Sequence, residues 1–134
     1  MRRRIVLIGA TGTFGSRLAR LLANTPGVDL TVTSRSLDKA QALAGRLSAC
    51  PTSHRAISGQ AFTHGPDCAA WLAQVKPWLV IDAAGPFQFA GYDTATAALQ
   101  AGAHWIDLAD AADYIDGFVP AVNALARQRG VIAE

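Results

Sequence analysis

Short runs of apolar residues alternate along the chain with longer segments in which apolar residues recur every three or four positions. The first pattern is typical of strands buried on both faces of a sheet, and the second is typical of helices packed on such a sheet. The predicted strands are 5–8, 29–34, 55–58, 78–83, 104–108 and a short 131–133. The predicted helices are 14–24, 37–47, 67–75, 92–101 and a broken segment over 112–129. This alternation predicts an α/β fold, a doubly wound parallel sheet in three α/β/α layers, with about six strands in the order 3-2-1-4-5-6.

The apolar positions of the predicted helices indicate which face each helix buries. The first helix is expected to place a stripe against the sheet that consists of Phe14, Leu18, Leu21 and Leu22. The second helix is expected to bury Leu37, Ala40, Ala44 and Leu47. Its N-cap is expected to be Ser36. Because proline is unfavourable inside a helix, we expect a short turn over 112–117, a main helix from near Pro120, and Gly130 as its C-cap.

Glycines occur at every third position directly after the first predicted strand, in the run Gly9-Ala-Thr-Gly12-Thr-Phe-Gly15. A first glycine allows a sharp turn, a second leaves room for a pyrophosphate near the backbone, and a third lets the helix pack closely on the sheet. The free amides and the dipole at the helix start favour phosphate groups. The spacing differs from the commoner Gly-x-Gly-x-x-Gly, so a turn that binds nothing is the alternative. The strand before the turn and the helix after it favour a dinucleotide site in a Rossmann-type domain.

The end of the second predicted strand distinguishes between the two nicotinamide dinucleotides. Domains that bind NAD usually carry Asp or Glu there, about 20 residues beyond the glycine turn, for the ribose hydroxyls. Here Ser34, Arg35 and Ser36 occupy that place, and the first carboxylate, Asp38, falls inside the next helix. An arginine can pair with a 2′-phosphate, and the two serines offer hydroxyls to the same oxygens. The sequence therefore favours NADP over NAD, with a solvated surface role for Arg35 as the alternative.

Small residues follow the fourth predicted strand, in the run Ala83-Ala84-Gly85-Pro86. They let a flat ring or a ribose approach the backbone, so we expect the nicotinamide side of the cofactor here. Phe87 either packs beside the nicotinamide or closes the core, and both interpretations stay open. Asp82 is expected to accept hydrogen bonds from neighbouring amides rather than to act in catalysis.

Four aspartates at a spacing of three follow the fifth predicted strand, namely Asp107, Asp110, Asp113 and Asp116. They suggest a metal site, but no histidine or calcium-loop glycine accompanies them, so helix capping and solvated charge are favoured and no metal site is predicted. His104 begins the strand, far from its carboxyl end, and is expected to be structural. His54 and His64 support no proposal. The residues assemble no nucleophile and base pair, so no catalytic residue is assigned.

Composition limits the remaining possibilities. A chain of 134 residues that is 51% hydrophobic and 16% charged suits one ordered domain with a single sheet. The formal charge is +2 and the basic residues are scattered beyond Arg2-Arg3-Arg4, so neither nucleic acid nor a membrane surface is an expected partner. No segment approaches the ~20 apolar residues of a membrane span. Cys50 and Cys68 lack the spacing of a disulfide framework or zinc site, and we interpret them as reduced thiols of a cytoplasmic protein.

Three sequence blocks, 8–15, 80–87 and 102–110, together resemble the N-terminal NADP-binding domain of the saccharopine dehydrogenase family. The blocks read Ile-Gly-Ala-Thr-Gly-Thr-Phe-Gly, Val-Ile-Asp-Ala-Ala-Gly-Pro-Phe and Gly-Ala-His-Trp-Ile-Asp-Leu-Ala-Asp. The resemblance implies a Rossmann domain and hydride transfer with NADP(H), often at a carbon–nitrogen bond of an amino-acid or polyamine-type substrate. With the residues argued above, it gives as cofactor-binding positions Gly9, Thr11, Gly12, Thr13, Phe14, Gly15, Ser34, Arg35, Ser36, Ala84, Gly85 and Pro86.

Two departures from that family qualify the expectation. The third unit lacks an aspartate that family members often show after their third strand. Family members also continue beyond this point into a larger C-terminal domain that supplies most substrate contacts. We therefore expect a cofactor-binding domain that binds NADP without turnover by itself. A non-enzymatic module that senses NADP through a protein partner is the alternative. The apolar surface that a second domain would cover allows the chain to form a homodimer.

Overall fold

Five strands and five helices alternate along the chain in the computed structural model, which describes residues 2–49, 56–65, 67–85 and 91–134. The strands are β1 (Arg3–Ile8), β2 (Val28–Ser34), β3 (Ile57–Ala61), β4 (Leu79–Asp82) and β5 (His104–Asp107). The helices are α1 (Thr13–Ala23), α2 (Leu37–Ser48), α3 (Cys68–Val75), α4 (Asp93–Gln100) and α5 (Ala112–Arg129). The predicted alternation is therefore confirmed, and most element boundaries agree within one or two residues.

The strands form one parallel sheet in the order β3-β2-β1-β4-β5, which confirms the predicted doubly wound topology. The prediction of a sixth strand over 131–133 is wrong for the described residues. Only Ala133 pairs with β5, in an isolated parallel bridge to Trp105. The Trp105 amide donates to the Ile132 carbonyl at 2.9 Å, and its carbonyl accepts from the Glu134 amide at 2.9 Å. The segment thus lies beside β5 where the sixth strand was expected, but it forms a single bridge and not a strand.

Each face of the sheet carries its own apolar core. On one face, α1 and α2 pack on Leu7, Leu30, Val32 and Ile81. On the other face, α3, α4 and α5 pack on Val6, Ile8, Val80 and Trp105. Alternate residues of β1 therefore enter opposite cores, as a strand covered on both faces requires. The carboxyl ends of β1 and β4, where the strand order reverses, remain at the upper edge of this three-layer arrangement.

Helix α1 buries a different stripe from the one predicted. The residues against the sheet are Gly15, Ala19 and Ala23. Phe14 is 66% exposed and Leu21 is 67% exposed, whereas Leu18 and Leu22 pack at the border of the core. Small residues let α1 approach β1 closely, so the larger side chains of the same apolar arc are displaced to its outer side.

Helix α2 begins as predicted, since the Ser36 hydroxyl accepts a hydrogen bond from the Lys39 amide at 3.3 Å. Its buried face consists of Ala40, Leu43, Ala44 and Leu47. Leu37, which was expected to be buried, is 46% exposed because it lies in the first turn, beyond the edge of the core. The stripe is thus correct in its last three positions and wrong in its first.

Helix α5 is continuous over Ala112–Arg129, so the expected short turn and restart at Pro120 are wrong. A buried stripe of Tyr114, Phe118, Val122 and Ala126 runs past the proline at the helical spacing of four. Pro120 itself points to solvent. The packing of this stripe outweighs the lost backbone hydrogen bond, which costs about 3 kcal/mol in an isolated helix. Gly130 ends the helix in a left-handed conformation with φ 66°, as predicted.

Strand β3 lies two to three residues later than predicted, and the first residue of the prediction, Arg55, lies outside the described residues. The strand pairs with β2 from Ile57 opposite Leu30 to Ala61 opposite Ser34. Its polar sequence resembles a loop, and it is a half-buried edge strand. Strand β3 therefore ends at the same level as β2, and the residues after it begin at the carboxyl edge of the sheet.

Candidate functional site

The turn between β1 and α1 depends on two of its three glycines for close contacts. Gly9 has a positive φ of 74°, and a β-carbon on it would lie 2.8 Å from the Ala84 Cα. A β-carbon on Gly15 would overlap the carbonyl oxygen of Gly9. Gly12, by contrast, is exposed and its nearest neighbour would be 3.4 Å away. The outer glycines therefore shape the turn, and the middle one leaves the backbone open to solvent.

The first turn of α1 presents backbone amides without a side-chain cap. Gly12 is the N-cap and has no side chain, and the Ser16 amide makes the first intrahelical bond, to the Gly12 carbonyl at 2.9 Å. The amides of Thr13, Phe14 and Gly15 precede that bond and have no partner within the helix. No acidic residue lies in this turn. Such an end carries partial positive charge and fits an anionic group such as a phosphate.

The end of β2 lies directly beside this turn, as predicted. The Ala10 amide donates to the Thr33 carbonyl at 3.0 Å, and the Thr11 hydroxyl lies 3.4 Å from the Ser34 hydroxyl. Ser34 also accepts a hydrogen bond from the Ser36 amide at 3.2 Å. The side chain of Arg35 is exposed and forms no ion pair with any residue of the described segments. The Ser34 hydroxyl therefore lies next to the glycine turn, and the exposed Arg35 follows it directly in the chain.

The end of β4 closes the other side of the turn. The Ala83 amide donates to the Ile8 carbonyl at 2.9 Å, which continues the pairing between β1 and β4. The Asp82 carboxylate accepts from the Ala84 amide at 2.9 Å, so the predicted role of Asp82 in capping is confirmed. Ala84 and Gly85 lie at this edge, whereas Pro86 and Phe87 lie outside the described residues. The predicted positions at the ends of β1, β2 and β4 thus meet at one edge of the sheet.

His64 also reaches this edge, and the sequence argument missed it. Its Nε2 lies 3.4 Å from Oδ2 of Asp82, and its Nδ1 lies 2.8 Å from the hydroxyl of Thr94. The hydrogen bond to Asp82 outweighs the effect of burial and raises the pKa of His64 above its ordinary value. With β3 ending at Ala61, His64 lies three residues beyond a carboxyl end. A correct boundary for β3 would have pointed to it.

The carboxyl end of β5 forms a hydrogen-bonded cluster around Asp107. Its Oδ2 accepts from the Trp105 indole at 3.0 Å and from the Tyr114 hydroxyl at 2.9 Å, and its Oδ1 accepts from the Ala109 amide at 3.2 Å. Burial and then the hydrogen bond to Asp107 raise the pKa of the Tyr114 phenol. Within the described segments, no group of three or more acidic, histidine or cysteine side chains is arranged to hold a metal ion. Asp107 is therefore the common hydrogen-bond acceptor of Trp105, Ala109 and Tyr114.

The remaining predicted features are distributed outside the edge. His104 accepts a hydrogen bond from the Ile132 amide at 3.0 Å at the start of β5, which is the structural role expected for it. Cys68 is a buried free thiol, and Cys50 lies outside the described residues. None of the described helices combines the length and the apolar character that a membrane crossing requires.

The sheet order and the open glycine turn define a nucleotide-binding domain of the Rossmann type. The sequence model for the saccharopine dehydrogenase NADP binding domain matches residues 5–133, and the chain belongs to that family. The family confirms NADP as the cofactor of this domain, as the sequence predicted. A comparison with curated protein sequences finds no match.

Two solved structures share the fold. Apo saccharopine dehydrogenase (L-Glu forming) from Saccharomyces cerevisiae superposes with a TM-score of 0.70 at 17% identity, over 98% of this chain. A short-chain dehydrogenase from Sphingobium yanoikuyae in complex with NADPH superposes with a TM-score of 0.64 at 16% identity, over 96% of this chain and 67% of its own. The chain spans 26% of the yeast enzyme, about a quarter of its length. The superpositions show the shared fold, and the family match over residues 5–133 shows that the chain is a saccharopine dehydrogenase NADP binding domain.

The described residues fit this cofactor. A β-carbon at Gly9 or Gly15 would fill the turn, whereas the exposed Gly12 leaves the helix amides open to a pyrophosphate. The exposed guanidinium of Arg35 suits an additional phosphate. Ala84 and Gly85 add no long side chain where the two central strands end.

Proposed function

We propose that the edge formed by the ends of β1, β2 and β4 is the NADP site of the chain. The backbone amides of Thr13, Phe14 and Gly15 would hold the pyrophosphate, since they lie at the uncapped start of α1. The observation that carries this proposal is the exposed Gly12, which is the only glycine of the three whose β-carbon would meet no close neighbour. Thr11 and Gly15 complete the turn from either side.

The preference for NADP rests on the residues that follow β2. Arg35 is exposed and unpaired among the described residues, so its guanidinium is available for the 2′-phosphate. Ser34 and Ser36 flank Arg35 in the chain, and each hydroxyl already accepts a local hydrogen bond, from the Ser36 amide and from the Lys39 amide respectively. The first carboxylate, Asp38, lies within α2. Between the end of β2 and Asp38, the sequence carries no carboxylate that would repel that phosphate.

The nicotinamide side would lie along Ala84, Gly85 and Pro86. Bound NADP supplies or accepts a hydride, and the chain supplies binding and orientation. By its resemblance to saccharopine dehydrogenases, the hydride transfer would take place at a carbon–nitrogen bond of an amino-acid or polyamine-type substrate. A further domain would provide the substrate contacts, because the chain spans about a quarter of the yeast enzyme. The chain would bind the cofactor without turning it over by itself.

Binding can be located by two-dimensional amide NMR during titration with NADP. The proposal predicts shifts at Gly9, Gly12, Gly15, Ser34 and Gly85, with Gly27 and Gly102 at the opposite edge unchanged. Shifts confined to the opposite edge, or spread evenly over the chain, would contradict this site.

A non-enzymatic NADP sensor is the alternative function, and the same site would serve it. The two functions are distinguished by what the full-length gene product does once NADP is bound. Hydride transfer to a carbon–nitrogen substrate by the full-length gene product supports the enzyme. Binding of NADP that changes the affinity for a protein partner, without turnover, supports the sensor.

A further inference from the structure

The segment after β3 crosses the carboxyl edge of the sheet. The Phe62 amide donates to the Ser34 carbonyl at 2.9 Å, so the segment begins beside the end of β2. Two residues later, His64 contacts Asp82 at the end of β4. The strand order places β2 and β1 between β3 and β4. Residues 62–64 therefore pass the end of β1, from which the glycine turn departs, and connect the two sides of the proposed NADP site.

His64 lies at the centre of a chain of polar contacts that ends on the backbone of that site. Its ring lies between the Asp82 carboxylate at 3.4 Å and the Thr94 hydroxyl at 2.8 Å. The other oxygen of Asp82 accepts from the Ala84 amide at 2.9 Å. Asp82 is 3% exposed, and Thr94 is 5% exposed. The half-exposed His64 ring thus contacts the buried Asp82 carboxylate, and the same carboxylate holds the Ala84 amide where the chain leaves β4.

The His64 ring contacts neighbouring side chains on its side away from solvent. The edge of His64 packs on the buried Phe62 ring, with centroids 5.5 Å apart. The Cys68 thiol, the nearest titratable group of α3, lies 3.9 Å from the Thr94 hydroxyl on α4. On the side of α5, the negative charge of Asp82 contributes to raising the pKa of the Tyr114 phenol. Asp82 is therefore the acidic partner of His64 among the described residues, and no second cation competes with it there.

The two protonation states of His64 satisfy the same contacts with different strength. When protonated, the ring donates from Nε2 to Asp82 and from Nδ1 to the Thr94 hydroxyl. When neutral, it keeps the Nε2 proton for Asp82, and Thr94 donates to Nδ1 instead. Both partners of the contact to Asp82 are charged only in the first state, and the attraction between imidazolium and carboxylate then strengthens the hydrogen bond. Loss of the proton weakens the contact to Asp82 without rotating the ring.

We propose that His64 is a positioning residue of the NADP site, which through Asp82 holds Ala84 and Gly85 where the nicotinamide half of the cofactor binds. This inference rests on the proposed function. It adds that NADP binds more tightly when His64 is protonated, because the turn at the end of β4 is then held more firmly. By thermodynamic linkage, bound NADP also raises the affinity of His64 for its proton.

The experiment is a calorimetric titration of the chain with NADP between pH 7 and 9.5, where the second ionisation of a phosphate monoester, near pH ~6, is complete. His64→Gln replaces the imidazole by a neutral donor to Asp82 and therefore resembles the neutral histidine at every pH. His104→Gln is the matched control, since His104 lies at the opposite edge, bonded to the Ile132 amide. Thr94→Val removes the second contact of the ring, and Thr94→Ser retains it.

For the wild type and for His104→Gln, we expect the NADP affinity to fall as the pH rises through this range, by up to about tenfold for one pKa unit of coupling. His64→Gln should bind at pH 7 as weakly as the wild type does at pH 9.5, with no dependence on pH. Thr94→Val should weaken binding in the same direction, and Thr94→Ser should restore it. By NMR, the pKa of the His64 ring should rise when NADP binds.

Two results would overturn the inference, and they differ from a failure of the proposed function. One is NADP binding by His64→Gln with the wild-type affinity and pH profile. The other is a His64 pKa that is the same with and without NADP. In both cases the NADP site stands and only the role of His64 is lost. If the wild-type chain binds no NADP at any pH, both the inference and the proposed site fail.

Discussion

The backbone of Gly9 packs directly against that of Ala84, so that a β-carbon on Gly9 would lie 2.8 Å from both the Cα and the amide nitrogen of Ala84. The positive φ of Gly9, 74°, makes this approach possible without strain. Because one residue begins the glycine turn and the other follows β4, their contact joins the proposed pyrophosphate and nicotinamide sides. The two sides of the proposed site are thus in direct contact at one edge of the sheet.

Replacement of Gly15 by alanine should damage both stability and NADP binding. Its β-carbon would overlap the Gly9 carbonyl, so α1 must move away from the turn. Overpacking of this kind costs about 1–3 kcal/mol of unfolding free energy. Chemical denaturation and NADP titration measure the two effects. Gly45→Ala is the control, since Gly45 lies in α2 with open space around it and should gain about 0.5–1 kcal/mol.

Replacement of Arg35 by alanine should weaken NADP binding and leave NAD binding unchanged. The guanidinium is exposed and its expected partner is the 2′-phosphate, which only NADP carries. Loss of a charged hydrogen-bonded pair costs about 1–3 kcal/mol of binding free energy. Lys39→Ala removes one positive charge from the same helix start and should have a smaller effect. Equal weakening of NADP and NAD by Arg35→Ala would disprove the placement of the phosphate.

His64 should stabilise the folded state at acidic pH, and this contribution should disappear as the pH rises. The pKa of His64 is raised above its ordinary value of 6.5 by the hydrogen bond to Asp82, so folding binds the proton more tightly. The contribution is complete below pH 6.5 and is lost as the pH rises through the folded pKa. Denaturation curves should therefore show a larger difference between wild type and His64→Gln at pH 6 than at pH 9. A difference that grows with pH would contradict the assigned contact.

Replacement of Asp107 by alanine should destabilise the β5 edge. The Trp105 indole, on a residue that is 1% exposed, and the Tyr114 hydroxyl would both lose their acceptor. A buried donor left without a partner costs about 1–3 kcal/mol. Asp110→Ala, at an exposed position of the same acidic series, should change the unfolding free energy by less than about 0.5 kcal/mol. Similar losses in both variants would mean that the cluster contributes no specific stability.

The sequence predicted the sheet and the glycine turn because both depend on local patterns. The apolar runs of β1 and β4 and the β-branched residues of β2 are typical of buried strands, and the crossovers between them have one hand. Gly9 and Gly15 take the turn and packing roles that their spacing indicated, and Gly12 is open to solvent. Where a local rule meets no competing interaction, the chain follows it.

The differences arise where tertiary packing outweighs a local rule. In α1 the close approach of small residues displaces Phe14 from the core, and in α5 the buried stripe carries the helix past Pro120. Strand β3 has too few apolar residues for the sequence pattern to give its bounds, which are set by its pairing with β2. Because the predicted strand ended at residue 58 rather than at Ala61, His64 was not expected close to the carboxyl edge. Contacts between residues far apart in the chain, such as His64 with Asp82 and Tyr114 with Asp107, have no signature in the sequence.

The central claim is that this edge binds NADP in preference to NAD. Calorimetric titration of the 134-residue chain with each dinucleotide at neutral pH tests it most directly. We expect NADP to bind at least about tenfold more tightly than NAD, a difference of about 1.4 kcal/mol. Equal affinity for the two dinucleotides, or binding of neither, would contradict the account.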